Sequence, residues 1–248
     1  PHLHVETLAV HELDLDAGAR VFAHRVGARG LEDELAQRLH DSVDGNPGWI
    51  NVLADGLRES GRLEVCGSLV HGVGRGELPV PDRMHARVQA RIGALGARAR
   101  GLVQITAAFP EPLDVATLAA IEGVPRDVAE PIVQRLISRR VLRAASEDRG
   151  DKRESEVPWI PSADAPLPAR VRIYGGELVR RAVLESLSTE HQQRVHAKIA
   201  DVLRGSGAAN DDRVETLAYH AARAGDCERA PTELERAAEV ALSRGEHG

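Results

Sequence analysis

The chain reads as a mainly α fold on three observations. Ala, Leu, Val and Arg dominate while aromatic residues make up 2%, a composition of helix formers without the rings that fill sandwiches and barrels. Apolar residues recur at spacings of three and four, as in Leu35, Leu39, Val43 and in Met84, Val88, Ile92, which is the period of one helix face. Clusters of Gly and Pro cut these stretches into helix-sized pieces. With 42% hydrophobic residues in 248, there is enough apolar material for a core, which argues against disorder.

The first pieces form a small helical bundle. Asp14 and Asp16 precede an apolar-patterned stretch, 17–26, that carries Ala19, Val21, Phe22 and Val26. Acidic side chains there can accept from free helix N–H groups and favour the dipole, so a helix starts at this point. Gly27 and Gly30 end it. The stretch 31–43 puts Leu31, Leu35, Leu39 and Val43 on one stripe of a second helix, which stops at Asp44-Gly45-Asn46-Pro47-Gly48. A third helix, 49–60, has Ile50, Leu53 and Leu57 on one face and Gly61 as its stop. Residues 65–82 are weakly patterned and Gly-rich, and end in Pro79-Val80-Pro81, which predicts a domain boundary.

The middle third predicts a winged helix. Met84, Val88, Ile92 and Leu95 repeat at helical spacing, Gly96 interrupts, and Leu102, Val103 and Ile105 resume until Phe109-Pro110. Asp114 caps a short helix holding Val115, Leu118, Ala119 and Ile121. After the turn Gly123-Val124-Pro125, a longer helix covers 126–138, with Val128, Ile132, Val133, Leu136 and Ile137 inward and Pro131 bending it. Short helix, Gly-containing turn and longer helix make a helix-turn-helix. Val141-Leu142-Arg143-Ala144 and Val171-Arg172-Ile173-Tyr174 read as paired strands. The Pro-rich stretch 147–169, with Trp159 as its one large apolar group, is the long wing loop between them.

The last third is helical, over 177–187, 191–204, 212–224 and 228–244. Gly205-Ser206-Gly207 and Ala224-Gly225-Asp226 mark two of the turns. Ala218, Ala221, Ala222 and Ala224 are expected to pack against Ala230, Ala237, Ala238 and Ala241, and the pair resembles a unit of an α-solenoid. Solenoid arrays need about three such units for stability, so more chain is expected after Gly248. The chain opens on Pro1 and not Met, so a segment of a longer protein is likewise expected.

Charge is unevenly divided. Residues 1–82 carry a balance of −7, residues 83–143 carry +5 and residues 144–248 carry −4, within a net charge of −6. A basic middle between acidic flanks marks either a nucleic-acid face or a surface docked on its own acidic neighbours, and docking is the preferred reading. No apolar run approaches bilayer-spanning length, and no basic stretch with a following apolar run opens the chain, so neither membrane nor secretion is expected. Cys66 and Cys227 sit in no CxxC, which suits two reduced thiols in a cytoplasm.

No catalytic constellation stands out. GxxxxGK[ST], GxSxG and HExxH are absent. Gly72-Val73-Gly74-Arg75-Gly76 is glycine-rich but follows no clear strand and opens no helix, so it reads as a surface turn. His2 with His4, and His191 with His196, are at offsets that bring ligands together only loosely, with no third ligand evident. Two features remain. One is the Asp44–Gly48 turn before Trp49-Ile50. The other is the helix carrying Arg126 and Arg135, followed by Arg139 and Arg140, candidates for DNA or interdomain contact. A reading helix aims Arg at phosphates or guanine edges, but Asp127 and Glu130 on this helix repel phosphate, so a structural role is preferred.

In order, these pieces resemble the middle of the STAND signalling ATPases, AAA+-related switch proteins. Leu8-Ala9-Val10-His11-Glu12-Leu13 and residues 16–22 resemble the exit from a nucleotide-binding domain into its lid. Asp44-Gly45-Asn46-Pro47 with Trp49-Ile50, and Leu57 to Gly61-Arg62-Leu63, resemble the lid's GNP segment and its tail. Residues 79–95 with Ala107-Ala108-Phe109 resemble the winged-helix entry. Gln193-Arg194-Val195-His196-Ala197-Lys198-Ile199-Ala200 and Leu217-Ala218-Tyr219-His220, continuing to Ala224-Gly225-Asp226, resemble the family's R-x-x-H-x-x-I-A and LA-x-H-x-x-x-AGD helices.

The resemblance implies a helical lid over 1–79, a winged helix over 80–175 and TPR-like helices over 176–248. It implies that Gly45, Asn46 and Pro47 face a nucleotide, with the proline touching it. ATP or ADP would be held only together with an upstream ATPase domain, the segment alone having no enzyme activity and needing no cofactor. One departure is local: Tyr174-Gly175-Gly176 stands where the family often has a histidine. The implied function is regulatory transmission in an ATP-dependent, cytoplasmic signalling switch, with an upstream ATPase domain and a protein on the C-terminal helices as partners. The alternative is a winged-helix DNA-binding transcriptional regulator.

Overall fold

The computed structural model describes residues 11–72, 77–145, 167–205 and 211–243. The His2 and His4 pair, Leu8 to Val10, the glycines of 73–76, most of the 147–169 loop with Trp159, the Ser206-Gly207 turn and Gly248 lie outside the described residues. Among those described the fold is mainly α, as expected, with two small three-stranded sheets.

The N-terminal region is built on α1 (Leu15–Val26), α2 (Asp33–Val43) and α3 (Pro47–Glu59). Asp14 starts α1, its Oδ1 accepting from the Ala17 N–H at 2.7 Å, and Gly27 closes it in the left-handed conformation. Leu35, Leu39 and Val43 of α2 are buried with Phe22 of α1 and Ile50, Leu53 and Leu57 of α3.

Leu31 departs from the expected helical stripe. It belongs to β1 (Gly30–Leu31), which runs parallel to β3 (Leu69–Gly72), with Leu31 opposite Val70. β2 (Glu64–Cys66) pairs antiparallel with β3 to complete a sheet of order β1-β3-β2. Only Val70 of this hairpin is fully buried, while Val65 and Leu69 are exposed. A single inward residue leaves no alternating pattern to read, which is why 65–72 looked unstructured.

The middle region follows the expected order. α4 (Asp82–Gly93) buries Met84, Val88 and Ile92, and α5 (Ala97–Ala108) follows Gly96. β4 (Leu113–Asp114) leads into α6 (Val115–Glu122), capped by Asp114 Oδ1, which accepts from the Thr117 N–H at 2.8 Å. α7 (Arg126–Ser138) then precedes β5 (Leu142–Ala145) and β6 (Arg170–Ile173). The three strands form an antiparallel sheet of order β4-β6-β5, the connectivity of a winged helix. On α7 the buried set is Ala129, Val133, Leu136 and Ile137, while Val128 and Ile132 are only half-buried. Pro131 lies on the exposed face, where water can satisfy the carbonyl that its ring leaves without an N–H.

The C-terminal helices are α8 (Gly176–Glu185), α9 (Thr189–Gly205), α10 (Asp211–Ala224) and α11 (Ala230–Ser243). α8 packs on α2, α4 and α5, so one apolar core runs from the N-terminal helices through the winged helix. α9 packs on α5, α6 and α10, and α10 on α11. Ala218, Ala221 and Ala230 are buried as expected, but Ala222 and Ala238 are exposed, because they fall on the outer faces of their helices. Arg204 of α9 binds Glu233 of α11 at 2.7 Å and Asp226 of the preceding turn at 3.0 Å. No helix among the described residues is long and apolar enough to cross a membrane.

Candidate functional site

The turn between α2 and α3 is built by four residues with separate tasks. Asp44 and Gly45 both take positive φ, 51° and 64°, reversing the chain within two residues. Gly45 is required twice over: a Cβ there would lie 2.1 Å from the Leu13 carbonyl oxygen. Leu13 closes over the turn, its N–H donating to the Gly45 carbonyl at 2.9 Å. Asn46 is the cap of α3, and its Oδ1 accepts from the N–H groups of Gly48 (3.0 Å) and Trp49 (3.2 Å). Pro47 opens the helix, where its missing N–H costs nothing, and it is exposed with Gly48.

This bonding decides what the turn can recognise. A free helix N-terminus binds anions through its N–H groups. Here Pro47 has no N–H, those of Gly48 and Trp49 belong to Asn46, and that of Ile50 goes to the Asn46 carbonyl at 2.9 Å. What faces solvent is the apolar proline ring and not an array of free N–H donors.

Against this turn lies the exit of the winged helix, Tyr174-Gly175-Gly176. A Cβ on Gly176, where φ is 85°, would stand 2.5 Å from the Ser42 carbonyl oxygen, and one on Gly175 would stand 2.7 Å from Trp49 Nε1. Gly176 thus lays its backbone on that of the last turn of α2, and Gly175 leaves room for the Trp49 indole. The Tyr174 hydroxyl donates to Glu12 Oε1 at 3.1 Å, and burial beside that carboxylate raises the phenol above its ordinary range. Arg172 donates to Asp44 Oδ1 at 3.3 Å, and Arg143 stands 3.3 Å from Oδ2 as an ion pair. Burial nevertheless raises the Asp44 carboxyl above its usual value, the opposing pull of Arg143 being smaller. Tyr174 thus lies at the same seam as the sequence-predicted Gly45, Asn46 and Pro47.

The arginine candidates divide between the two ends of α7, Arg126 at its start and Arg135, Arg139 and Arg140 at its close. Arg126 begins α7 and pairs with Glu130 at 2.6 Å. Arg139 and Arg140 lie about 20 Å away past its other end, from the helical rise over this length. Arg135 is exposed. Arg140 sits over the Tyr174 ring, 5.9 Å from its centroid, at the edge of the turn–turn seam. Arg91 of α4 donates to the carbonyls of Arg139 and Arg140, and so braces the C-terminal end of α7, where a cation favours the dipole.

Ion pairs also cross from the basic middle to its flanks. Arg83 reaches Glu59 at 3.2 Å and Asp55 at 3.8 Å, and the His85 ring lies within hydrogen-bond distance of Glu185, its Nε2 3.0 Å from Oε2. Asp55 also receives two hydrogen bonds from Arg25, at 2.8 and 2.7 Å, which hold its carboxyl below the usual range.

Two polar features escaped the sequence reading. His196 and His220 are buried, with their Nδ1 atoms 2.7 Å apart, so His196 does not meet His191 in a ligand pair. His191 instead bonds Gln104 of α5, 87 positions away. Two signals were present, the family-like motifs that carry both histidines and the phase of His196 with Val195, Ile199 and Ala200 on the buried face, but neither said that the two rings meet. Among the described residues no three His, Cys, Asp or Glu side chains cluster to hold a metal ion, and Cys66 and Cys227 are free and exposed. No protein-family model, curated protein or solved structure matches the chain.

Proposed function

We propose that the chain is the transmission segment of a STAND-type, ATP-dependent signalling switch, in which nucleotide state sets how the lid and winged helix pack and thereby governs binding of a protein partner on the C-terminal helices. The observation that carries this reading is the seam itself. An exposed Pro47, followed by three residues whose N–H groups are taken, opens the helix whose Trp49 indole packs at Gly175, while Gly176 meets the Ser42 backbone at the end of α2. A nucleotide held by an upstream ATPase domain and touching Pro47 favours one seating of this seam over another, which is the differential interaction a switch requires. Tyr174 and Glu12 replace the family's histidine as the polar pair at that seam. The test is ATP and ADP affinity of the full-length protein encoded by the gene, with and without Pro47→Ala. A loss of about ten-fold in one nucleotide state is expected, the size of a buried apolar contact. Unchanged affinity, or a full-length protein without a phosphate-binding loop, removes the reading.

A second reading, a DNA-binding winged helix, is favoured by the exposure of α7 and of Arg135, Arg139 and Arg140. Against it stand exposed Asp127 and the Arg126–Glu130 pair on the same surface. A mobility shift on duplex DNA at low salt, lost with Arg135, Arg139 and Arg140 replaced by Ala, would establish it. No shift at low salt would exclude it.

A further inference from the structure

A cleft of about 640 Å³ lies between α4, α5, the end of α6 and the start of α9, within the size range of small-molecule sites. It is remote in sequence from the Pro47 turn and uses none of its residues. Its polar lining is directional. Gln104 is 6% exposed, and its Oε1 can only accept, so the 3.0 Å contact from His191 makes Nε2 of that ring the donor. The other ring nitrogen is then an acceptor, and Arg194 Nη2 stands 3.4 Å from His191 Nδ1. The chain Arg194 to His191 to Gln104 therefore delivers every hydrogen toward Gln104. The Gln104 NH₂ is left with two hydrogens and no acceptor among the described residues. That amide opens onto the cleft, where an incoming oxygen can take the place of water as its acceptor.

The charges around it call for the same thing. Lys198 and Arg100 line the cleft with Arg194, which pairs with Glu190 at 2.6 Å; Arg100 donates to the carbonyls of Gly93 and Leu95, and Glu122 is the carboxylate in the lining. Glu122 is drawn in over Gly101, where a Cβ would stand 2.4 Å from its Oε1, and its one ion pair is to Lys198 at 3.7 Å. Ile92, Ile105, Leu187 and Val195 supply apolar wall. We infer that this cleft binds a small oxyanion, a carboxylate or phosphate whose oxygens accept from Gln104 Nε2 and pair with Lys198 and Arg100. The site joins α5 of the winged helix to α9 of the C-terminal helices, so occupancy ties those two regions together.

The test is calorimetric titration of the intact chain at low ionic strength with citrate in one arm and inorganic phosphate in the other. Saturable one-to-one binding in either arm is expected, and the arm that responds names the oxyanion. Gln104→Glu keeps the acceptor for His191 and replaces the donor with a negative charge, so it should abolish binding. Lys198→Glu, on an exposed side chain, should weaken binding about ten-fold or more. If Gln104→Glu does not fold, Lys198→Glu alone decides. No heat in either arm, or affinity unaltered by Lys198→Glu, overturns the site whatever becomes of the nucleotide reading, because neither arm contains a nucleotide.

Discussion

Acid should destabilise this protein well above the pH at which carboxylates titrate, through the paired histidines of α9 and α10. With Nδ1 atoms 2.7 Å apart, one ring must donate and the other accept, which two imidazolium ions cannot do. Phe109 covers His220 at 4.7 Å between ring centroids, Tyr219 flanks both rings, and His220 Nε2 is buried without a partner. Burial, followed by the charge of Arg223, lowers His196 to about 4, and burial, followed by His196, lowers His220 to about 3. Unfolded, both rings take up protons below about 6.5. Between that pH and about 4 the unfolded chain therefore binds more protons, so stability is full above 6.5 and falls as pH drops. Going from pH 7 to pH 5 should remove about 2 kcal/mol per ring and about 4 kcal/mol for the pair, a large share of the roughly 5–15 kcal/mol of a typical domain. Asp55 and Asp114, whose pKa values are lowered, lose their contribution only below the ordinary carboxylate value and so do not enter this window. Urea unfolding followed by circular dichroism at pH 7, 6 and 5 measures the slope, and His196→Gln with His220→Gln should flatten it. A pH 5 stability within about 1 kcal/mol of the pH 7 value, or a doubly substituted chain that keeps the slope, would refute the reasoning.

Gly176→Ala should cost about 2–4 kcal/mol, because the added methyl meets the Ser42 carbonyl and the backbone there is left-handed; a fall in melting temperature checks it, and Gly61→Ala, with the same sign of φ but open space, should cost less. Val70→Ala should cost about 2 kcal/mol by urea unfolding and Val65→Ala less than about 0.5, since only the first is buried in the N-terminal sheet. Pro47→Ala should leave the stability of the chain within about 0.5 kcal/mol, as its ring is exposed, so that any change in nucleotide affinity is a contact effect.

What was legible in the sequence is what neighbouring residues decide among themselves. Asp14 and Asp114 cap the helices they precede, and Pro125 and Gly96 lie where helices begin. The turn at 44–48 was visible because Gly, Asn and Pro each dictate their own backbone. Pairings across the chain were not visible. β1 is two residues long and finds its partner 39 positions later at Leu69, and nothing local distinguishes Leu31 from the helical stripe that follows it. Gln104 looks like a polar interruption of an apolar helix until His191 arrives on α9. Tyr174-Gly175-Gly176 registered as a departure from a family pattern, and its importance emerges only when the fold lays it on Ser42 and Trp49. The arginines of α7 divide as their numbering implies: a helix of 13 residues sets Arg126 at one end apart from Arg135, Arg139 and Arg140 at the other.

The meshing of Gly175 and Gly176 with the α2–α3 turn has a mechanical result. Where side chains separate two segments, rotamer changes can absorb a small displacement. Main chain resting on main chain, as Gly176 does on Ser42 and Val43, has no such slack, and Arg172, one residue beyond Val171 in the central strand of its sheet, is tethered to Asp44 as well. The end of α2 is therefore geared to the end of β6 and the root of α8, so that neither can shift far without carrying the other or disengaging from it.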